Sequence, residues 1–234
     1  ERPQHYPVNV SPSENVQPQH AGVSSELPQP PTRGLELWSA LALAALWIAV
    51  ISRFGEGNVY AVMGPFACAV CALCFALRRG QLLRAFRSDT RGVLAGLALG
   101  VVMTVLTYPA FQLAVMIVPS LDAQVQSLYH GARSTTLPKA LAWTMPVILA
   151  EELLFRGILP AALTQLTSAR NAFALAVLVY AVAQLGSGSF IVALLALVCG
   201  SVWTVLRVRT QSLLPALIAH AIWTPTTIFL YPVT

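Results

Sequence analysis

The sequence predicts an all-α membrane protein, a polytopic bundle of seven to eight transmembrane helices. Hydrophobic residues occupy 56% of the 234 positions and charged residues only 10%, whereas soluble domains carry about 25% charged residues. Several uncharged stretches, among them 92–121 and 171–206, are longer than the roughly 20 residues that cross a bilayer as a helix. Arginines gather in short segments between such stretches, as they do in cytoplasmic loops of membrane proteins.

Residues 1–34 have a different composition and are predicted to form a disordered or draped cytoplasmic tail. They are rich in Pro, Gln and Ser and show no apolar periodicity, so they cannot bury enough surface to offset the entropy of ordering. Because the tail has no apolar run, we do not expect a signal peptide within it. The predicted domain organisation is therefore this tail followed by a transmembrane domain over residues 35–234.

Seven apolar segments are predicted to be membrane helices, and a short amphipathic helix in the 119–136 loop would be an eighth element. The third segment carries glycines at positions 92, 96 and 100. Small residues at this spacing let two membrane helices approach closely, so a packing face is expected there. The seven predicted segments are 35–51, 59–77, 92–118, 141–160, 172–185, 190–206 and 213–230.

Arginine placement predicts the orientation of the chain. The 78–91 loop holds five arginines against the single acid Asp89, which favours the cytoplasmic side. Alternation of the helices then places the N-terminus in the cytoplasm and the 119–136 loop outside. We expect a multi-pass protein of a bacterial inner membrane, and the net charge of +5 indicates affinity for anionic lipid rather than nucleic acid.

Ionisable residues interrupt the fourth apolar segment, in "LAEELLFRGIL". Glu151, Glu152 and Arg156 lie there, although each charge costs about 2.5–3.5 kcal/mol at the centre of a membrane helix. Glu152 and Arg156 are four residues apart and can pair on one helical face. Glu151 points about 100° away from Glu152 and needs another partner.

His220 and Gln184 are the polar residues of other apolar segments that could meet Glu151. A rise of 1.5 Å per residue, counted from the arginine-rich ends of the segments, gives Glu151 and His220 a similar depth and places Gln184 nearer the opposite side. A carboxylate, an imidazole and an amide in a dry bundle could form a reaction chamber. They could equally form a hydrogen-bond network that holds the helices together.

Three motifs in this order resemble those of the CAAX-protease and bacteriocin-processing (CPBP or Abi) family of glutamate-type intramembrane endopeptidases. "EELLFRG" resembles the Glu-Glu-x-x-x-Arg motif, and "SLLPALIAHAIW" is similar to the last motif, which ends in a histidine followed by Asn or Asp four residues later. The middle motif, Phe-x-x-x-His, aligns with Tyr180 to Gln184. The resemblance covers roughly residues 90–230.

The resemblance implies a site made of Glu151, Glu152, Arg156, Gln184, His220 and Thr224, with two departures. In the family the first glutamate and the middle histidine activate a water, and the last histidine with its Asn binds the oxyanion. Here Gln184 stands at the middle histidine and Thr224 at the Asn, and neither side chain is a base near neutral pH.

The sequence consequently leaves two functions open. One is a CPBP-like intramembrane endopeptidase of reduced activity that acts on a membrane-protein substrate. The other is a non-catalytic scaffold or accessory subunit that binds a partner in a membrane complex. We expect no cofactor and no metal, because one histidine with two carboxylates is a thin ligand set for zinc.

Overall fold

The computed structural model describes residues 33–54, 59–132 and 135–233. Every regular element in these ranges is helical, in agreement with the predicted all-α class. The elements are α1 (Arg33–Phe54), α2 (Val59–Ala85), α3 (Thr90–Ile117), α4 (Ser120–Ala132), α5 (Leu137–Glu151), a first π-helical segment (Glu152–Ile158), α6 (Leu159–Leu163), α7 (Ala169–Leu185), α8 (Phe190–Thr210), α9 (Leu213–Pro225) and a second π-helical segment (Thr226–Leu230).

The membrane character of the bundle is confirmed by the length and composition of its helices. Within the described residues, five spans are long and apolar enough to cross a bilayer, in α1, α2, α3, α8 and the run from α9 through the second π segment. Helix α7 is apolar but shorter, and α5 continues through the first π segment into α6. The chain is a multi-pass membrane protein. The predicted tail, apart from residues 33 and 34, lies outside the described residues.

Two of the predicted boundaries are refined by the structure. Helix α2 continues beyond the predicted end at Leu77, but Arg78 has non-helical backbone angles (φ −138°, ψ 26°), so the helix kinks where the apolar run ends. The 119–136 loop contains α4, whose Val125 and Tyr129 are buried. Tyr129 donates a hydrogen bond to the carbonyl oxygen of Thr227 at 2.8 Å, which fixes α4 against the second π segment.

The predicted glycine face is confirmed as the contact between α3 and α9. A Cβ atom added at Gly96 would lie 2.6 Å from the carbonyl oxygen of Pro215, and one at Gly100 would lie 3.1 Å from Cα of Ala219. Trp223 also donates a hydrogen bond to the hydroxyl of Thr107 at 2.8 Å. This close approach sets the position of α9, the helix that carries His220.

The largest apolar core lies where α1 and α2 cover the first π segment and α7. Trp47 of α1 packs edge-on against Phe155 at 6.2 Å between ring centroids, and both side chains are almost fully buried. Large apolar side chains such as Val105 and Met116 are exposed on α3, as expected for a surface that faces lipid. The candidate polar residues thus lie in the interior of the bundle.

Candidate active site

The two adjacent glutamates lie at the junction of two helix types. Glu151 is the last residue of α5 and Glu152 the first of the π-helical segment, in which Leu159 N–H bonds to the carbonyl of Leu154, five residues back. Pro160 follows and has no N–H to offer Arg156, which contributes to this change of register. Single turns of π-helix are frequent at functional sites. Both carboxylates are buried, with Glu151 5% and Glu152 0% exposed.

Helix α7 supplies two hydrogen-bond donors to Glu151. The Tyr180 hydroxyl donates to Oε2 at 2.9 Å, and the Gln184 side-chain amide donates to Oε1 at 2.6 Å. The two donors are four residues apart, so they project from one face of the helix. Each oxygen of the Glu151 carboxylate therefore accepts one hydrogen bond from α7.

His220 lies between the two carboxylates. Its Nδ1 is 2.9 Å from Oε1 of Glu152, and its Nε2 is 3.8 Å from Oε2 of Glu151. An ionised carboxylate only accepts hydrogen bonds, so with Glu152 ionised the proton on the shorter contact belongs to Nδ1. Trp203 of α8 stacks on the imidazole at 3.7 Å between ring centroids and an interplanar angle of 19°. The imidazole is thus held by one hydrogen bond to Glu152 and by stacking against Trp203.

Arg156 is the positive charge of this cluster. Its Nη1 lies 3.4 Å from Oε1 of Glu152, as the four-residue spacing predicts. The guanidinium also lies over the ring of Tyr180, 4.2 Å from the centroid. Gly200 of α8 provides the space, because a Cβ atom there would be 2.7 Å from Nη2 of Arg156. Arg156 is 1% exposed, so its charge is balanced inside the protein.

The structure brings five of the six candidate residues together and leaves Thr224 at the margin. Thr224 lies one helical turn beyond His220 on α9 and is half-buried. Among the described residues it makes no hydrogen bond to the other five. Within the same residues, no three His, Cys, Asp or Glu side chains form a group suited to a metal ion.

The depth predicted for Gln184 is wrong. The structure places its amide against Glu151 rather than nearer the opposite side. The helical run that carries Glu151 ends at Leu163, not at Pro160. Glu151 therefore lies 12 residues from the end of that run, or about 18 Å at the α-helical rise, whereas the predicted end at Pro160 corresponds to nine residues, or about 13 Å.

Two further residues contact the cluster but were not predicted as part of it. Tyr180 occupies the phenylalanine position of the middle motif, and a hydroxyl in an apolar helix was the signal that it needs a partner. Trp203 had no such signal, because tryptophans in membrane helices serve packing in most places. Both are nearly fully buried, and each contacts a charged or titratable member of the cluster.

Comparison with known families gives a match to the region that contains this cluster. Residues 133–225 match the family described as type II CAAX prenyl endopeptidase Rce1-like. Over these residues the chain is similar to the CAAX-protease (CPBP) family. The matched region contains all six candidate residues and runs from the loop before α5 to the end of α9. Comparisons with curated proteins and with solved structures gave no match.

The helices outside the matched region pack around it. Helices α1 and α2 cover the first π segment, and α3 packs against α9. The protein is therefore CAAX-protease-like in its intramembrane fold. What its site does depends on the chemistry of the residues that this chain has in place of the family's histidine and asparagine.

Proposed function

We propose that the protein is an intramembrane endopeptidase of the CPBP type, with low activity, in which Glu151 activates the attacking water. The observation that carries this proposal is the convergence of Glu151 and His220, whose Oε2 and Nε2 atoms lie 3.8 Å apart in the interior of the bundle. A carboxylate can take the proton of an attacking water, and an imidazole can stabilise the charge that develops on the carbonyl oxygen, so the pair can supply two functions that promote amide hydrolysis.

In the proposed reaction, Glu151 takes a proton from the water as its oxygen attacks the scissile carbonyl. The carbonyl oxygen becomes a tetrahedral oxyanion. When His220 carries a proton on both ring nitrogens, Nδ1–H donates to Glu152 and Nε2–H is available to the oxyanion. Glu151 then gives this proton to the amide nitrogen as the oxyanion collapses to a carbonyl and the C–N bond breaks, which releases an amine and a new carboxyl terminus.

Gln184 and Thr224 are the reason why we expect a low catalytic rate at this site. The Gln184 amide donates to Glu151, and its oxygen can accept a hydrogen bond from the water but cannot remove its proton. A general acid or base typically contributes about 10²–10⁴ in rate, so replacement of the family's histidine forfeits part of that factor. Thr224 is the proposed second donor to the oxyanion.

The proposed substrate is a membrane-associated polypeptide, and the name of the matched family points to a prenylated C-terminal peptide as the first to test. Purified wild-type protein and Glu151→Gln, each in lipid nanodiscs, would be incubated with a prenylated CAAX peptide and with the same peptide unprenylated. The proposal expects cleavage by wild type that Glu151→Gln loses by about 10²-fold or more. Equal cleavage by the two proteins would contradict it.

A second candidate function is a non-catalytic scaffold for a membrane-protein partner. It is favoured by the occupation of both Glu151 oxygens by Tyr180 and Gln184, which ties α5 to α7. Under this alternative the cluster keeps the helices in place and presents the outer surface of the bundle to the partner. Glu151→Ala would then alter thermal stability and recovery of the partner in pull-downs, while peptide cleavage would be absent in wild type.

A further inference from the structure

A half-open cavity of about 300 Å³ lies at the arginine-rich end of the bundle. It lies between the end of α2, residues 156–164, the start of α7 and the end of α8. Neither Glu151 nor His220 lines it, although Arg156 contributes to its wall. Its polar lining consists of Gln81, Arg84, Arg156, Thr164, Arg207 and Gln211.

The cavity carries an excess of positive charge. Arg84, Arg156 and Arg207 line it, and no Asp or Glu of the described residues does. Arg156 is paired with Glu152, which lies behind it. Arg84 and Arg207 form no ion pair within the described part of the chain. Two uncompensated guanidinium charges therefore line one half-open cavity.

Buried nitrogens of the same arginines lack hydrogen-bond partners. Nε, Nη1 and Nη2 of Arg156 are buried, and none forms a hydrogen bond to a described residue, because its contact with Glu152 lacks hydrogen-bond geometry. Nε of Arg207 is also buried and forms no hydrogen bond to a described residue. Buried polar groups are nearly always hydrogen-bonded, so each such group requires an explanation. These nitrogens are closed off from the cavity as well as from solvent. Arg156 therefore contributes only its positive charge to the wall, and the donors open to an anion are the guanidinium of Arg84 and the Nη atoms of Arg207.

We propose that this cavity binds a phosphoryl group, supplied either by the headgroup of an anionic phospholipid or by a free phosphate. Arginine presents a planar fork of donors that matches the oxygens of phosphate. Arg84 of α2 and Arg207 of α8 present their donors from two different helices, which suits an anion with several acceptor oxygens. The two uncompensated charges match the one to two negative charges of a phosphodiester or phosphomonoester. This site is separate from the proposed peptidase chemistry and needs no peptide cleavage to be detected.

The test measures thermal unfolding and binding of the full chain in nanodiscs at constant ionic strength. One arm uses phosphatidylcholine nanodiscs with inorganic phosphate, and a chloride salt as the control. The other replaces part of the phosphatidylcholine by phosphatidylglycerol, without added phosphate. A ligand that binds the folded state raises the unfolding temperature. Stabilisation by phosphatidylglycerol alone identifies a lipid headgroup, and stabilisation by inorganic phosphate identifies a free anion.

Three variants make the test specific. Arg207→Gln and Arg84→Gln each remove a lining charge, and we expect each to weaken binding about tenfold or more. Arg209→Gln is the matched control, since Arg209 is exposed on the same helix and does not line the cavity. If Arg207→Gln fails to fold, Arg84→Gln decides. The proposal is overturned if neither ligand stabilises the wild type, or if Arg209→Gln weakens binding as much as the lining variants do.

Discussion

Nδ1 of His220 lies 2.9 Å from Oε1 of Glu152, a residue 68 positions earlier in the chain. The contact joins α9 to the first π-helical segment, and Trp203 fixes the same imidazole from a third element, α8. Because Glu152 is also the counter-ion of Arg156, one carboxylate holds two groups of the cluster. Glu151, its neighbour in sequence, is left to face Nε2 of His220.

Because the two glutamates have different partners, replacement of each by glutamine should have different effects on stability. Glu152→Gln leaves the buried Arg156 without a compensating charge, and loss of one partner from a buried ion pair costs about 3–5 kcal/mol. Glu151→Gln retains an acceptor for only one of Tyr180 and Gln184, so it should cost about 1–3 kcal/mol, less than Glu152→Gln. Unfolding of the two variants by denaturant, in the same detergent, measures both values. Equal destabilisation would show that the two carboxylates do not have separate roles.

The glycine face of α3 predicts a steric effect on α9. Gly96→Val would place side-chain atoms against the backbone of Pro215 and should lower the free energy of unfolding by about 1–3 kcal/mol. Gly80→Ala is the control, because an added Cβ there has its nearest neighbour at 3.9 Å, the mobile end of Arg84. Ala also favours helix over Gly, so this control should be neutral or slightly stabilising. Thermal unfolding of both variants decides whether the α3–α9 contact is as close as described.

The hydroxyl and the ring of Tyr180 should make separate contributions to the free energy of unfolding. Tyr180→Phe removes the hydrogen bond to Glu151 and keeps the ring under Arg156, so it should cost about 1–3 kcal/mol. Tyr180→Ala removes both contacts and leaves a cavity, with a larger loss of about 3–5 kcal/mol. Comparison of the two unfolding free energies separates the hydroxyl from the ring. If Tyr180→Phe has the stability of wild type, the hydroxyl contributes nothing to the cluster.

The arginine distribution predicts membrane orientation. In a background with the four cysteines replaced by alanine, we expect a cysteine at the exposed Arg87 to react from the cytoplasmic side with a membrane-impermeant thiol reagent. A cysteine at the exposed Gln126 of α4 should react from the opposite side. Labelling in intact cells and in inverted vesicles makes the comparison. Reaction of both positions from one side would contradict the expected topology.

The sequence predicted the parts of the site that depend on charge. Glu151, Glu152, Arg156 and His220 were identifiable because ionisable groups are costly in an apolar helix and need partners. The depth of Gln184 was misjudged because it depends on where the helices end. No pattern in the sequence marks the π-helical register that begins at Glu152 or the aromatic stack of Trp203 on His220. Both result from packing between distant segments of the chain.

The most direct measurement of the central claim compares rates of peptide cleavage for wild type, Gln184→His and the double variant Gln184→His/Glu151→Gln. If Glu151 activates the water and lacks its usual partner, a histidine at position 184 should raise the rate by about tenfold or more, within the range for general acid–base assistance. The double variant should then fall below wild type. An inert Gln184→His variant that folds as wild type does, or a double variant that cleaves as fast as Gln184→His, would contradict the proposed role of Glu151.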